Sequence, residues 1–67
     1  MQRQYVSSSR IVSVGWENDV LEVEFKNGVV YQYYNVSRDE YIDFMNSPSL
    51  GSALSVLDKY HAYHPVN

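Results

Sequence analysis

The chain has 67 residues, a formal net charge of −3, seven tyrosines, two phenylalanines, one tryptophan and no cysteine. A chain of this length holds one small core, and the lack of cysteine excludes a disulfide framework and a thiolate metal site. The acidic balance argues against a broad basic surface for duplex nucleic acid. We therefore expect one cytoplasmic domain over residues 1–67, with its core at 6–61, no cofactor, no metal and no membrane contact.

The first regular element is predicted at residues 10–16. Residues 1–9 are polar and are expected to form a lead-in without regular structure. In segment 10–16, the alternation predicts a strand with Val12, Val14 and Trp16 on one face and Ile11, Ser13 and Gly15 on the other. An acidic turn at 17–19 follows, and asparagine and aspartate are typical of turns.

A hairpin over residues 20–34 is the clearest element of the sequence. Both arms are rich in β-branched and aromatic residues, and Asn27-Gly28 tolerates positive φ in a tight turn. On the second arm, alternation predicts that Tyr31 and Tyr33 face the core, whereas Tyr34 faces solvent. A shift of one residue in register would exchange these faces.

Two short helices are predicted after the hairpin. Ser37 and Glu40 have the spacing of a capping box, and Ser49 is suited to cap the second helix. The tail from residue 62 is expected to be frayed or extended. The predicted fold class is α+β, a three-stranded antiparallel meander in the order β-β-β-α-α with both helices on one face. The uncovered sheet face and edges favour a homo-oligomer.

The ordered set of short motifs resembles the KTSC domain, a small family found at the C-terminus of some lysyl-tRNA synthetases and as stand-alone bacterial proteins. The resemblance implies a binding module with a possible association with RNA rather than an enzyme. It spans roughly residues 6–60 and departs from the family at Ser37 and in the second helix. The matching segments are Ser8–Ile11, Val14–Trp16, Leu21–Phe25, Gly28, Tyr31–Tyr33, Val36, Tyr41 and Ser49–Gly51.

Two clusters of polar residues are candidates for a metal site and for a catalytic nucleophile, respectively. Asp58, His61 and His64 have a spacing that could bring three metal ligands together, but Pro65 disfavours a helix that reaches His64. The serines at 7–9 lack the surrounding elbow and an oriented base that a nucleophile needs. We therefore expect that residues 58–64 form only the end of a helix and that the serines at 7–9 form local hydrogen bonds with the backbone. We expect no enzymatic activity.

A third cluster, made of aromatic and basic residues, is the one from which we predict the function. Aromatic faces stack nucleobases, and arginine pairs with phosphate. We therefore expect a non-enzymatic module that holds a nucleotide or single-stranded nucleic acid. The alternative is a protein-interaction or inhibitor module of mobile-element type, which sequesters a host factor or a signalling nucleotide. The candidate ligand-binding residues are Tyr34, Arg10, Trp16, Tyr31, Tyr33 and Arg38.

Overall fold

The predicted antiparallel sheet and both helices are present, but the sheet has five strands rather than three. The computed structural model describes residues 1–66. Its strands pair in chain order, each antiparallel to the next. In the sequence, both helices come between the fourth and the fifth strand. No helix in this range is long and apolar enough to cross a membrane. The elements are β1 (Gln4–Tyr5), β2 (Ile11–Glu17), β3 (Val20–Phe25), β4 (Val30–Tyr33), α1 (Arg38–Met45), α2 (Leu50–Tyr60) and β5 (Tyr63–Pro65).

The two additional strands come from the segments predicted to be a lead-in and a frayed or extended tail. β1 pairs with β2 through Gln4 and Tyr5, and β5 pairs with β4, where Tyr63 lies opposite Tyr33. The three-stranded meander and the lead-in without regular structure were therefore wrong predictions, whereas the tail is extended rather than frayed at residues 63–65. Strands of two or three residues are too short to show alternation, and their pairing depends on partners that are distant in sequence.

A β-bulge corrects the predicted face of β2. The register shifts between Ile11 and Ser13, so one residue is left over and the alternation changes phase. Ile11 and Val14 are fully buried, and Trp16 is half-buried on the same face. Val12, which was predicted to share a face with Val14 and Trp16, takes no part in the regular pairing.

Residues with positive φ occur in both hairpin turns, but not at both of the positions predicted in the second turn. Asn18 and Asp19, with φ of 51° and 64°, form the two-residue turn between β2 and β3. Both values fit the left-handed region that such a turn requires. In the Asn27-Gly28 turn, only Gly28 has positive φ, at 90°, and its amide donates to the Phe25 carbonyl at 2.9 Å.

The core lies between one face of the sheet and the two helices. Tyr33 is its largest fully buried side chain, which confirms the predicted register of β4. The Ser37 capping box and the Ser49 cap are both present. Tyr60, the last residue of α2, is 77% exposed. The buried apolar residues are Ile11, Val14, Leu21, Val23, Val30, Tyr33, Val36, Phe44, Leu54 and Leu57.

The other sheet face carries polar side chains and is crossed by the N-terminal segment. Arg3 Nη1 lies 2.7 Å from Glu22 Oε2, and Arg3 Nη2 lies 3.8 Å from Glu24 Oε1. A Cβ atom on Gly15 would stand 2.5 Å from the Gln2 carbonyl oxygen. The close approach of the N-terminal segment therefore depends on a glycine at this position.

Gly15→Ala is expected to displace the segment before β1 and to break the Arg3–Glu22 ion pair. The reason is the clash with the Gln2 backbone, which cannot be relieved by turning a side chain. Amide hydrogen exchange should become faster in β1 and stay slow in β3 and β4. Gly51→Ala is the matched control, because its Cβ would make ordinary contact with Arg10 Cδ at 3.4 Å. Unchanged exchange in β1 of Gly15→Ala would contradict the prediction.

Candidate functional site

Four aromatic rings form a row across the helix-facing side of β3, β4 and β5. The ring centroids are 5.5 Å apart for Phe25 and Tyr31, 5.4 Å for Tyr31 and Tyr63, and 4.9 Å for Tyr63 and Tyr33. These separations are typical of favourable ring contacts. We call these four residues the aromatic row.

Tyr33 is the structural member of the aromatic row. It is 1% exposed, and its hydroxyl donates to Asp58 Oδ1 at 2.7 Å. Burial, followed by the hydrogen bond to Asp58, raises the pKa of the Tyr33 hydroxyl above its ordinary value of 10.0. Tyr33 is therefore a neutral core side chain and is not available to stack a ligand.

A second member, Tyr31, lines an open cleft together with Arg10. The cleft has a volume of about 200 Å³ and is lined by Arg10, Phe25, Asn27, Val29 and Tyr31. We call it the aromatic cleft. The structure thus brings together two of the six residues predicted from the sequence.

Arg10 supplies the charge of the aromatic cleft. The residue is exposed, and its carbonyl accepts from the amide of Lys26, another exposed basic residue, at 3.0 Å. Among the described residues that line the cleft, Arg10 alone carries a charge. This corner is therefore locally basic, although the chain as a whole is acidic.

A larger pocket of about 400 Å³ lies next to Arg10, where the segment before β2 meets the start of α2. Arg10 Nη1 donates to the carbonyl of Gly51, which lines this pocket, at 3.5 Å. Through this contact, Arg10, which lines the aromatic cleft, reaches a residue that lines the larger pocket. We call the larger one the serine pocket, which is lined by Val6, Ser7, Ser8, Ser9, Met45, Ser47, Pro48, Ser49, Leu50 and Gly51.

The serine run at 7–9 makes the local backbone contacts expected of it. Ser8 Oγ accepts from the amides of Arg10 and Ile11, at 3.2 Å each. These bonds fix the chain where it enters β2. The hydroxyl oxygen is thereby used to shape the wall of the serine pocket.

Trp16 and Tyr34 lie away from the aromatic cleft. Trp16 Nε1 donates to the Val36 carbonyl at 2.8 Å, and its ring stacks on Tyr41. Trp16 and Arg10 are separated by the length of β2, about 20 Å for seven residues. Tyr34, predicted to be exposed, is half-buried, and its hydroxyl lies 2.8 Å from His64 Nε2.

The second predicted arginine, Arg38, is an exposed residue that begins α1. The N-cap residue of α1 is Ser37, and it directly follows Val36, whose carbonyl accepts a hydrogen bond from Trp16. Arg38 therefore belongs to the Trp16 end of the sheet. The structure does not bring it together with Arg10.

The three residues weighed as metal ligands have separate partners. Asp58 accepts from Tyr33, His61 contacts Glu40, and His64 contacts the Tyr34 hydroxyl. Within residues 1–66, no three histidine, aspartate or glutamate side chains converge in a way that could hold a metal ion.

Comparison with known proteins identifies the family. The family model described as KTSC domain matches residues 7–60. The chain belongs to the KTSC domain family. Its structure is also similar to the crystal structure of a KTSC domain protein from Yersinia pestis, with a TM-score of 0.89 and 36% sequence identity over 98% of this chain and 97% of that one. No curated protein gives a significant match.

Two segments that carry the resemblance to KTSC domains meet at the candidate site. Ser8–Ile11 and Ser49–Gly51 are about forty residues apart in sequence, yet Arg10 contacts Gly51. The two segments form opposite walls of the serine pocket. The pattern used to recognise the KTSC domain therefore coincides with this corner of the fold.

The sequence-based prediction of the KTSC site missed Phe25, Asn27, Val29 and Tyr63. Phe25 and Tyr31 share the core face of adjacent strands, because Val23, two residues before Phe25, lies opposite Tyr31. The predicted hairpin thus contained a signal for Phe25. Tyr63 gave no such signal, since its strand was not predicted.

Proposed function

We propose that this KTSC domain is a non-enzymatic cytoplasmic module that binds a nucleotide in the aromatic cleft, with the phosphate held by Arg10. The observation that supports the proposal best is that Arg10 lines an aromatic cavity and contacts a residue that lines a cavity rich in hydroxyl groups. A nucleotide needs both environments, since its base is flat and apolar on its faces whereas its phosphate is charged.

The guanidinium of Arg10 has the capacity to bind an anion. Its bond to the Gly51 carbonyl, at 3.5 Å, is longer than a strong hydrogen bond. A guanidinium has five N–H donors in a planar fork that matches phosphate oxygens. Lys26 adds a second positive charge beside the Arg10 backbone.

The base is assigned to the face of the cleft formed by Phe25 and Tyr31. Their rings meet edge to face, at an interplanar angle of 75°, so together they form a corner rather than a closed stack. Both side chains are half-buried. Asn27, at the rim, adds an amide that can both donate to and accept from a base edge.

Arg10→Gln is expected to weaken binding of adenosine 5′-monophosphate at least about tenfold, which is the effect of losing one charge-assisted contact of about 1.4 kcal/mol. Titration calorimetry is the suitable measurement. Trp16 fluorescence is a poor reporter, because Trp16 lies at the other end of β2. Inorganic phosphate, titrated separately, reports on the Arg10 contact without the base.

Arg38→Gln is the matched control, since Arg38 is an exposed arginine at the start of α1. It should leave the affinity unchanged. Equal weakening in both variants would show that only net charge matters and would overturn the proposed site. If the native protein binds none of a panel of linear and cyclic nucleotides, the proposal fails and the protein-interaction alternative takes its place.

A further inference from the structure

The aromatic row extends beyond the proposed base site through Tyr63. Tyr63 contacts Tyr31, which lines the aromatic cleft, at a centroid distance of 5.4 Å and an interplanar angle of 34°. It belongs to β5, the edge strand of the sheet. The row therefore continues from the cleft to the edge of the molecule without interruption.

Packing within the fold uses only part of the Tyr63 ring. Tyr33 stacks against it at 4.9 Å and 27°, so Tyr63 helps to bury Tyr33. Even so, Tyr63 remains 44% exposed. No strand lies beyond β5 in the described sheet, and the outer side of the ring faces an unoccupied edge.

The two ring environments are direct neighbours, because the ring centroids of Tyr31 and Tyr63 are 5.4 Å apart. Base stacking on aromatic side chains stabilises bound single strands base by base and tolerates any base. A first base in the corner of Phe25 and Tyr31 leaves the next base within reach of Tyr63. The flexible sugar–phosphate link can follow the short distance between Tyr31 and Tyr63.

The charges near the row limit the length of the ligand. Arg10 and Lys26 lie at the cleft end. At the other end, the Asp58 carboxylate accepts from the Tyr33 hydroxyl and would repel an approaching phosphate. The net charge of −3 likewise disfavours a long polyanion.

We infer that the preferred ligand is a dinucleotide unit, with one base in the aromatic cleft and the next base on Tyr63. This inference rests on the proposed function, because it assigns the first base to the same cleft. It adds Tyr63 as a ligand-contacting residue and sets the size of the ligand at two bases.

Calorimetric comparison of adenosine 5′-monophosphate with the dinucleotide ApA that carries the same 5′-phosphate tests the inference. The native protein is expected to bind ApA at least about tenfold more tightly, as the stacking of one further base provides. Tyr63→Leu should abolish the preference for ApA, so that this variant binds both ligands with equal affinity. Tyr63→Phe keeps the ring and should retain the preference for ApA.

The outcomes separate this inference from the proposed function. Equal affinity of the native protein for both ligands overturns the second base position and leaves the nucleotide cleft standing. Absence of binding by either ligand overturns both. Since the comparison of the two ligands uses the native protein, it remains decisive even if Tyr63→Leu fails to fold. Nuclear Overhauser contacts from an ApA base to the Tyr63 ring provide the direct check.

Discussion

Tyr33→Ala is expected to remove a large part of the free energy of unfolding. Tyr33 is 1% exposed and fills the centre of the core, and deletion of a buried aromatic ring costs about 3–5 kcal/mol. A domain of this size has roughly 3–10 kcal/mol of stability in total. The substitution also removes the ring that stacks on Tyr63. Urea unfolding followed by circular dichroism measures the loss.

Tyr33→Phe is the matched control, because it keeps the ring and removes only the hydroxyl that donates to Asp58. It is expected to cost no more than about 1 kcal/mol, since the exposed Asp58 carboxylate can be solvated instead. A Tyr33→Ala protein with native stability would show that the ring does not support the core.

Tyr33→Phe also isolates the effect of the Tyr33 hydroxyl on the pH dependence of stability. The folded-state pKa of Tyr33 is raised above the ordinary 10.0, so its contribution to stability is fully present below about pH 10 and is lost as pH rises through the folded pKa. Tyr33→Phe should therefore lose less stability than the native protein on going to strongly alkaline solution.

Alternation along β4 was sufficient to predict that Tyr33 lies in the core and Tyr34 does not. The period of two in a strand fixes the faces once the hairpin is placed. Alternation along one strand could not predict which residues contact Tyr33. Asp58 and Tyr63 come from α2 and β5, and contacts between elements distant in sequence leave no local pattern.

The fold divides the six predicted site residues between separate places for a related reason. Arg10 and Trp16 were grouped together, although the predicted strand 10–16 already placed them at opposite ends of about 20 Å of chain. The sequence thus held the evidence against this pairing. The approach of Arg10 to Gly51 depends on how α2 packs on the sheet, and only the structure provides it.

A second expected result concerns His61, which connects three elements through its two ring nitrogens. Nδ1 lies 2.9 Å from the Tyr34 carbonyl oxygen, and Nε2 lies 2.7 Å from Glu40 Oε2. Both partners are acceptor oxygens, one on the backbone and one on a side chain. Glu40 Oε1 also accepts from the amide of Ser37 in the capping box. Glu40 therefore ties the start of α1 to the end of α2 and the end of β4.

Glu40→Ala is expected to lower the stability by about 2 kcal/mol near neutral pH, from the lost cap and the lost charged bond. The value is discounted because the Glu40 side chain is 43% exposed and solvent screens its charge. The bond from the Ser37 amide, and then that from His61, lowers the pKa of Glu40 below its ordinary 4.5. Urea unfolding as a function of pH is the measurement.

The sign of the pH dependence follows from that lowered pKa. The contribution of Glu40 is present above about pH 4.5 and is lost as pH falls through the folded-state pKa. Glu40→Ala should therefore differ most from the native protein at neutral pH and converge with it in acid. Asp43→Ala removes the same charge from an exposed position of α1 and should show little of this convergence. Identical pH profiles for the two variants would mean that the bonds to Ser37 and His61 add nothing beyond a surface charge.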